Sequence, residues 1–252
     1  MVVSEEPKSE GAPSTWTFSV GLSVVLLALV VLGFARTFFL RPWFDTYDVQ
    51  AAVLWHGAAM TLWFVWLPLQ AGLVARRDVA LHRRLGWLGA AAGALAVLSA
   101  LAVNFAMVVR GRRSGRDIEA EIDRWSDVIW TNLAPALVFA LCFSAAIALR
   151  RRRDAHGRLL LIGSIALVDP ALARVGLLPD RPVFGVDLDT LVFTRMVPLL
   201  LVLALLVRDL RSRGRVHGAT GLGVALLWAG LPLLRSWVPT TRFGHWLVLV
   251  FA

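Results

Sequence analysis

Seven largely uncharged apolar stretches, separated by short arginine-rich or turn-rich segments, constrain this chain more than any other feature. They run from Trp16 to Phe39, Val49 to Ala75, Leu85 to Val109, Asp127 to Leu149, Leu159 to Leu178, Val183 to Val207 and Gly218 to Leu234. Each reaches the ~17 to 25 residues needed to cross about 30 Å of hydrocarbon. No water is available in lipid to satisfy a backbone amide, so each stretch is expected as a helix. The expected fold is therefore all-α, a polytopic transmembrane bundle of about seven spans occupying residues 16–252 and preceded by a disordered tail at 1–15.

The tail, MVVSEEPKSEGAPST, is acidic, carries Pro, Gly and Ser, and lacks the basic opening of a cleavable signal peptide, so the first span is expected to stay as a signal anchor. FGHWLVLVFA, residues 243–252, is too short to cross alone and is expected in the interface or as a packed half-helix. Pro68, Pro135, Pro170 and Pro198 fall inside spans, where each removes a helical N–H and should kink its helix.

The net charge of +9 comes almost wholly from arginine, because Lys8 is the only lysine. These arginines flank the apolar runs instead of forming a patch interleaved with aromatics, which is membrane-flank chemistry and argues against nucleic acid as a partner. Cys142 is the single cysteine, so no intrachain disulfide or Cys-pair metal site can form. The turns after spans 2, 4 and 6 hold Arg76, Arg77, Arg83 and Arg84, then Arg150 to Arg153 with Arg158, then Arg208, Arg211, Arg213 and Arg215, with one acid in each. The basic-inside bias puts these turns and the N-terminus in the cytoplasm. The turn after span 3 opposes it with Arg110, Arg112, Arg113, Arg116 and Arg124.

Histidine recurs in those basic turns. Aligned on His82 and His156, both copies read Arg at −6 and −5, Arg at +2, Leu at +3 and Gly at +7. His217 again has Arg at −6, which suggests a repeated helix pair with three imidazoles at one depth. Two readings remain open. Two of the histidines ligate a b-type haem, or all three a metal, in an electron-transfer protein with an unidentified redox partner; otherwise they anchor helix ends among lipid headgroups.

A second polar set lies deeper: His56 in span 2, Asn104 in span 3, Asn132 in span 4, Asp169 in span 5 and Arg195 in span 6. Charges at such depths are costly and nearly always paired or facing a wet cavity. An Asp169–Arg195 ion pair is expected, or both line one outward-open pocket with His56 and Asn132 that serves a small-molecule or ion carrier. A scaffold subunit of a larger membrane complex is a third possibility. No P-loop, GxSxG, HExxH or Cys pair is present, so nucleotide-driven transport, hydrolase and zincin chemistry have no visible machinery.

Residues 56–89, HGAAMTLWFVWLPLQAGLVARRDVALHRRLGWLG, resemble bacterial multi-span membrane proteins of unknown function whose pattern is a histidine opening one helix, a glutamine late in it and an H-R-x-L-G turn opening the next. His56, Gln70, His82, Arg83, Leu85 and Gly86 match it in order, and HGRLLLIGSIALVDPALAR at 156–174 resembles a second block. The resemblance implies a bacterial inner-membrane location and no particular activity. HGAAM at 56–60 is also similar to the first ligand segment of dihaem cytochrome b-type transmembrane ferric reductases. Those proteins need a histidine pair near each face, whereas here only His56 and His245 stand on the outer side, so that likeness implies at most one inner haem.

Overall fold

The computed structural model describes residues 15–44, 49–176 and 190–252. Among these residues all regular structure is helical. The helices are α1 (Thr15–Gly33), α2 (Ala51–Ala75), α3 (Val79–Arg113), α4 (Ile122–Ala148), α5 (Arg153–Leu167), α6 (Asp169–Gly176), α7 (Thr190–Arg213), α8 (Gly218–Ala225), α9 (Leu231–Ser236) and α10 (Arg242–Phe251). A π-helical turn at Ala35–Phe39 and a short 3-10 turn at Arg41–Trp43 follow α1. Another π-turn, Leu226–Gly230, joins α8 to α9 without a break in the helical path, and a 3-10 turn at Val238–Thr240 precedes α10.

Four of these helical paths are long and apolar enough to cross a membrane: Ala51–Ala75, Val79–Arg113, Ile122–Ala148 and Gly218–Thr240. α1 is apolar but shorter. The all-helical bundle expected from the sequence is thus present. The expected tail at 1–15 falls almost wholly outside the described residues, as does the junction at 177–189 between the expected fifth and sixth spans.

α5 is the hub. From Leu159 to Val168 nearly every side chain is buried, because α1, α4, α7 and α8 surround it. Leu26 of α1, Phe64 of α2, Phe139 of α4, Ile162 and Ile165 of α5 and Leu205 of α7 are each at most 1 % exposed and belong to one continuous core. Outward faces instead carry Leu98, Leu141, Leu200 and Leu203, each about half exposed or more. Polar residues gather at helix ends and apolar ones cover the flanks, as a hydrocarbon surround requires. Close approaches at small residues hold the helices together: a Cβ on Gly33 of α1 would stand 2.4 Å from the carbonyl oxygen of Ala171 in α6, and one on Gly223 of α8 2.4 Å from Cδ1 of Ile162.

The prolines divide into two kinds. Pro68, Pro135 and Pro198 sit inside helices that continue through them. Pro170 instead coincides with a real break, since α5 ends at Leu167, Val168 forms a turn and α6 starts at Asp169. Pro232, just past the π-turn, offers no N–H to the helix, and the Leu231 N–H reaches back to Leu226 O in a widened π register. The C-terminal segment is the short packed helix expected. α10 is capped by Thr241 Oγ1, which accepts the Gly244 N–H at 3.0 Å, and it lies on α3 and α4 with Val248 buried.

The repeated helix pair is only half realised. His82 and His156 are each the fourth residue of their helices, α3 and α5. His217 lies outside its helix as the N-cap of α8. The glycine at 218 and the extended backbone of His217 start that helix later than the spacing of the other two copies would place it.

Candidate functional site

Three helical paths, α5–α6, α7 and α8–α9, carry charge at both of their ends. At the arginine-rich end, Asp209 in the last turns of α7 is fully buried and accepts four hydrogen bonds. Arg158 of α5, 3 % exposed, gives it two, Nε–H at 2.9 Å and a close contact from Nη2. Thr220 Oγ1 donates at 2.5 Å, and the His217 backbone N–H at 3.1 Å. Burial opposes ionisation of the Asp209 carboxyl, but the bonds from Arg158, Thr220 and the His217 N–H outweigh it and hold the group below the usual carboxylate range. Asp154 extends the network by pairing with Arg213, while its backbone carbonyl accepts Arg158 Nη1–H at 3.1 Å. Arg208 turns the other way and lies 4.9 Å over the Phe18 ring of α1.

At the opposite end the same paths enclose a cavity of about 380 Å³ counting its open mouth, lined by Ile165, Ala166, Asp169, Thr194, Arg195, Pro198, Leu227, Trp228, Leu231 and Arg235. Asp169 Oδ2 accepts from Arg235 Nη2 at 2.5 Å, with both side chains mostly buried. Three prolines bear on this cavity. Each deprives the carbonyl four residues earlier of its helical donor: Pro170 that of Ala166, Pro198 that of Thr194 and Pro232 that of Trp228. All three of those residues are on the cavity wall.

At ~1.5 Å rise per residue, the steps from Arg158 to Asp169, Asp209 to Arg195 and Thr220 to Arg235 place the two charged layers about 16 to 22 Å apart. Between them lie Ile162, Val202, Leu205 and other buried apolar side chains. The result is a polar layer at each end of an apolar seam.

The structure separates residues that the sequence suggested would act together. Asp169 and Arg195 do line one cavity. The ion pair, however, is Asp169 with Arg235 rather than with Arg195, and Arg195 is exposed. His56 is not in this wall: it lies on α2, which packs on α1 and α3, and its Nδ1 hydrogen-bonds Ser99 Oγ at 3.0 Å. Asn132 is also elsewhere, because its helical phase on α4 turns it outward and its amide donates to Val128 O one turn back at 3.0 Å. Asn104 is buried in α3 and donates to Ala100 O at 2.8 Å.

Of the three basic-end histidines, His82 and His156 are neighbours close enough for their charges to interact. The His82 Nδ1 is buried without a hydrogen-bond partner. His156 Nδ1 is 2.9 Å from Ala146 O, so it must be the protonated nitrogen, leaving the Nε2 lone pair free. His217 does different work. Its Nδ1 accepts the Ala219 N–H at 3.1 Å, which caps α8 and requires Nδ1 to be unprotonated. Burial first, then the Arg158 and Arg213 charges, lower its pKa. Among the described residues no three His, Cys, Asp or Glu side chains gather as a metal would require, so the three-histidine metal centre is not formed.

Sequence reasoning missed Arg235 and Asp209. Arg235 follows the last apolar run by one residue and reads as a boundary charge. Asp209 is the lone acid in its basic turn, a role that orientation rules treat as negligible. A signal for each existed: Arg235 stands three residues past Pro232, and Asp209 is followed within eleven residues by His217 and Thr220. Compared with known protein families, curated proteins and solved structures, the chain matches none of them.

Proposed function

We propose that this chain is a seven-span protein of a bacterial inner membrane, with its arginine-rich turns in the cytoplasm, that binds and carries a small solute through the cavity between α5–α6, α7 and α8–α9. The observation that carries this reading is the cavity itself: a carboxylate and two guanidinia from three different helices, each helical path carrying a proline near the cavity. Charge at that position is expensive in an apolar bundle unless it faces water or a ligand. Interrupted helices beside a buried polar layer are a general way of exposing backbone groups to a solute. The apolar seam and the buried Arg158–Asp209 layer beyond it close the other end.

The test uses cysteine accessibility, which the single buried native thiol makes clean. In a Cys142→Ala background, Thr194→Cys should react quickly with a membrane-impermeant methanethiosulfonate, while Leu203→Cys, 48 % exposed on the outer flank, should stay inert. Reaction from both faces in turn marks a carrier; reaction from one face marks a binding protein. If Thr194→Cys is as inert as Leu203→Cys in the membrane yet reacts once denatured, the cavity is dry and the reading fails.

A second reading is favoured by the free lone pairs of His82 and His156: a haem b held between them for electron transfer. Haem-replete expression followed by a reduced-minus-oxidised spectrum decides it. Absence of a Soret band, or a band unchanged in His82→Ala and His156→Ala, removes it.

A further inference from the structure

The charges around the cavity do not cancel. Asp169 is matched by Arg235, and among the described residues Arg195 has neither an ion pair nor a hydrogen bond. Arg235 also has a buried Nε–H that meets no acceptor, because its bond to Asp169 is made through Nη2. Among the described residues the cavity therefore holds one unit of positive charge and unused guanidinium donors on two of its lining residues. A guanidinium is planar, permanently charged and weakly hydrated, and its donor fork matches an acid group with two oxygens. Closed room in the whole cavity is of the scale of one or two waters, so the group that enters must be small.

From these observations we infer that the solute, on the reading proposed above, is a monoanion that seats a single acid group, carboxylate or phosphate, between Arg195 and the free Nε edge of Arg235. Asp169, paired with Arg235, sets the limit at one negative charge, since a second would face its carboxylate. The remainder of the solute lies in the mouth against Trp228. The same acid chemistry can come from a soluble anion or from the phosphodiester of an acidic lipid reaching the mouth from the side.

Thermal unfolding of the purified full chain distinguishes these sources. In neutral detergent, formate, acetate and inorganic phosphate are titrated at constant ionic strength against gluconate, which is too large for that closed room, with choline and glycerol as cationic and neutral probes. In a second arm, nanodiscs of phosphatidylcholine are compared with and without phosphatidylglycerol. The expected result is a saturable rise in Tm with formate, acetate or phosphate, whose midpoint moves at least tenfold higher in Arg195→Gln and less in Arg195→Lys. A rise confined to phosphatidylglycerol discs and lost in Arg195→Gln supports the same acid-group site filled by a lipid. No anion effect in either arm, or one equal in wild type and Arg195→Gln, overturns the inference. If choline or glycerol stabilises wild type but not Asp169→Asn, the cavity still binds solutes and only the anion assignment falls. If no probe acts and Thr194→Cys is inert to labelling, the solute reading falls with it.

Discussion

Removing the Asp209 carboxylate should cost more than any other single change in this bundle. The side chain is fully buried and satisfies Arg158, Thr220 Oγ1 and the His217 N–H together. Asp209→Ala leaves the Arg158 guanidinium, 3 % exposed, with only the half-exposed Asp154 carboxylate, 3.7 Å away, as counter-charge. Breaking a buried pair by deleting one partner costs about 3–5 kcal/mol. For a chain of this size that corresponds to a Tm lower by roughly 6–20 °C, taking ~2–4 °C per kcal/mol. Arg158→Met with Asp209→Ala removes both charges and so removes the stranded cation, and Arg158→Met alone completes the cycle. Thr220 and the His217 N–H still lose their acceptor, at about 1–3 kcal/mol for a buried group left unsatisfied. The double variant should therefore recover about half the loss, giving a coupling energy of about 2 kcal/mol or more between the two sites. Tryptophan fluorescence during thermal unfolding in neutral detergent reads all four corners of this cycle. A loss below about 1 kcal/mol for Asp209→Ala, or strictly additive single effects, refutes the claim that this pair joins α5 to α7 and α8.

Two further outcomes follow from particular contacts. His217 has a lowered pKa in the folded chain, so the folded state prefers the neutral ring. Its contribution is therefore complete above the ordinary histidine value of about 6.5 and is lost as pH falls through its folded pKa. His217→Asn keeps a side chain able to cap α8 and cannot titrate there, so the fall in Tm on acidification from neutrality should be shallower than in wild type; an identical pH profile would count against the cap. Gly33→Ala places a Cβ 2.4 Å from Ala171 O, a backbone atom that cannot swing aside, and should destabilise by about 1–3 kcal/mol in the same unfolding assay, whereas a wild-type Tm would mean that α1 and α6 do not meet there.

The helical bundle, with helices apolar and long enough to cross a membrane, was legible because a long run of apolar residues such as Leu85 to Val109 leaves a chain few options but a helix. The meeting of Asp169 and Arg195 was legible from depth, since buried charges seek one cavity. What depth does not encode is helical phase and neighbour order. Those turned Asn132 outward on α4, seated His56 on Ser99, and brought Arg235 to Asp169 across a π-turn caused by a proline. The histidine repeat misled for a related reason. Identical spacing from arginine puts His82 and His156 inside a helix but leaves His217 before one, where its ring serves the backbone.

The central claim is that Asp169 is spoken for by Arg235 while Arg195 is left for a ligand. Comparing Arg235→Gln with Arg195→Gln in unliganded, detergent-solubilised protein tests it most directly. The account predicts that Arg235→Gln, which strands the Asp169 carboxylate, lowers Tm by several degrees, and that Arg195→Gln unfolds at the wild-type temperature. A destabilised Arg195→Gln beside an unaffected Arg235→Gln would contradict it, because Asp169 would then be paired with Arg195.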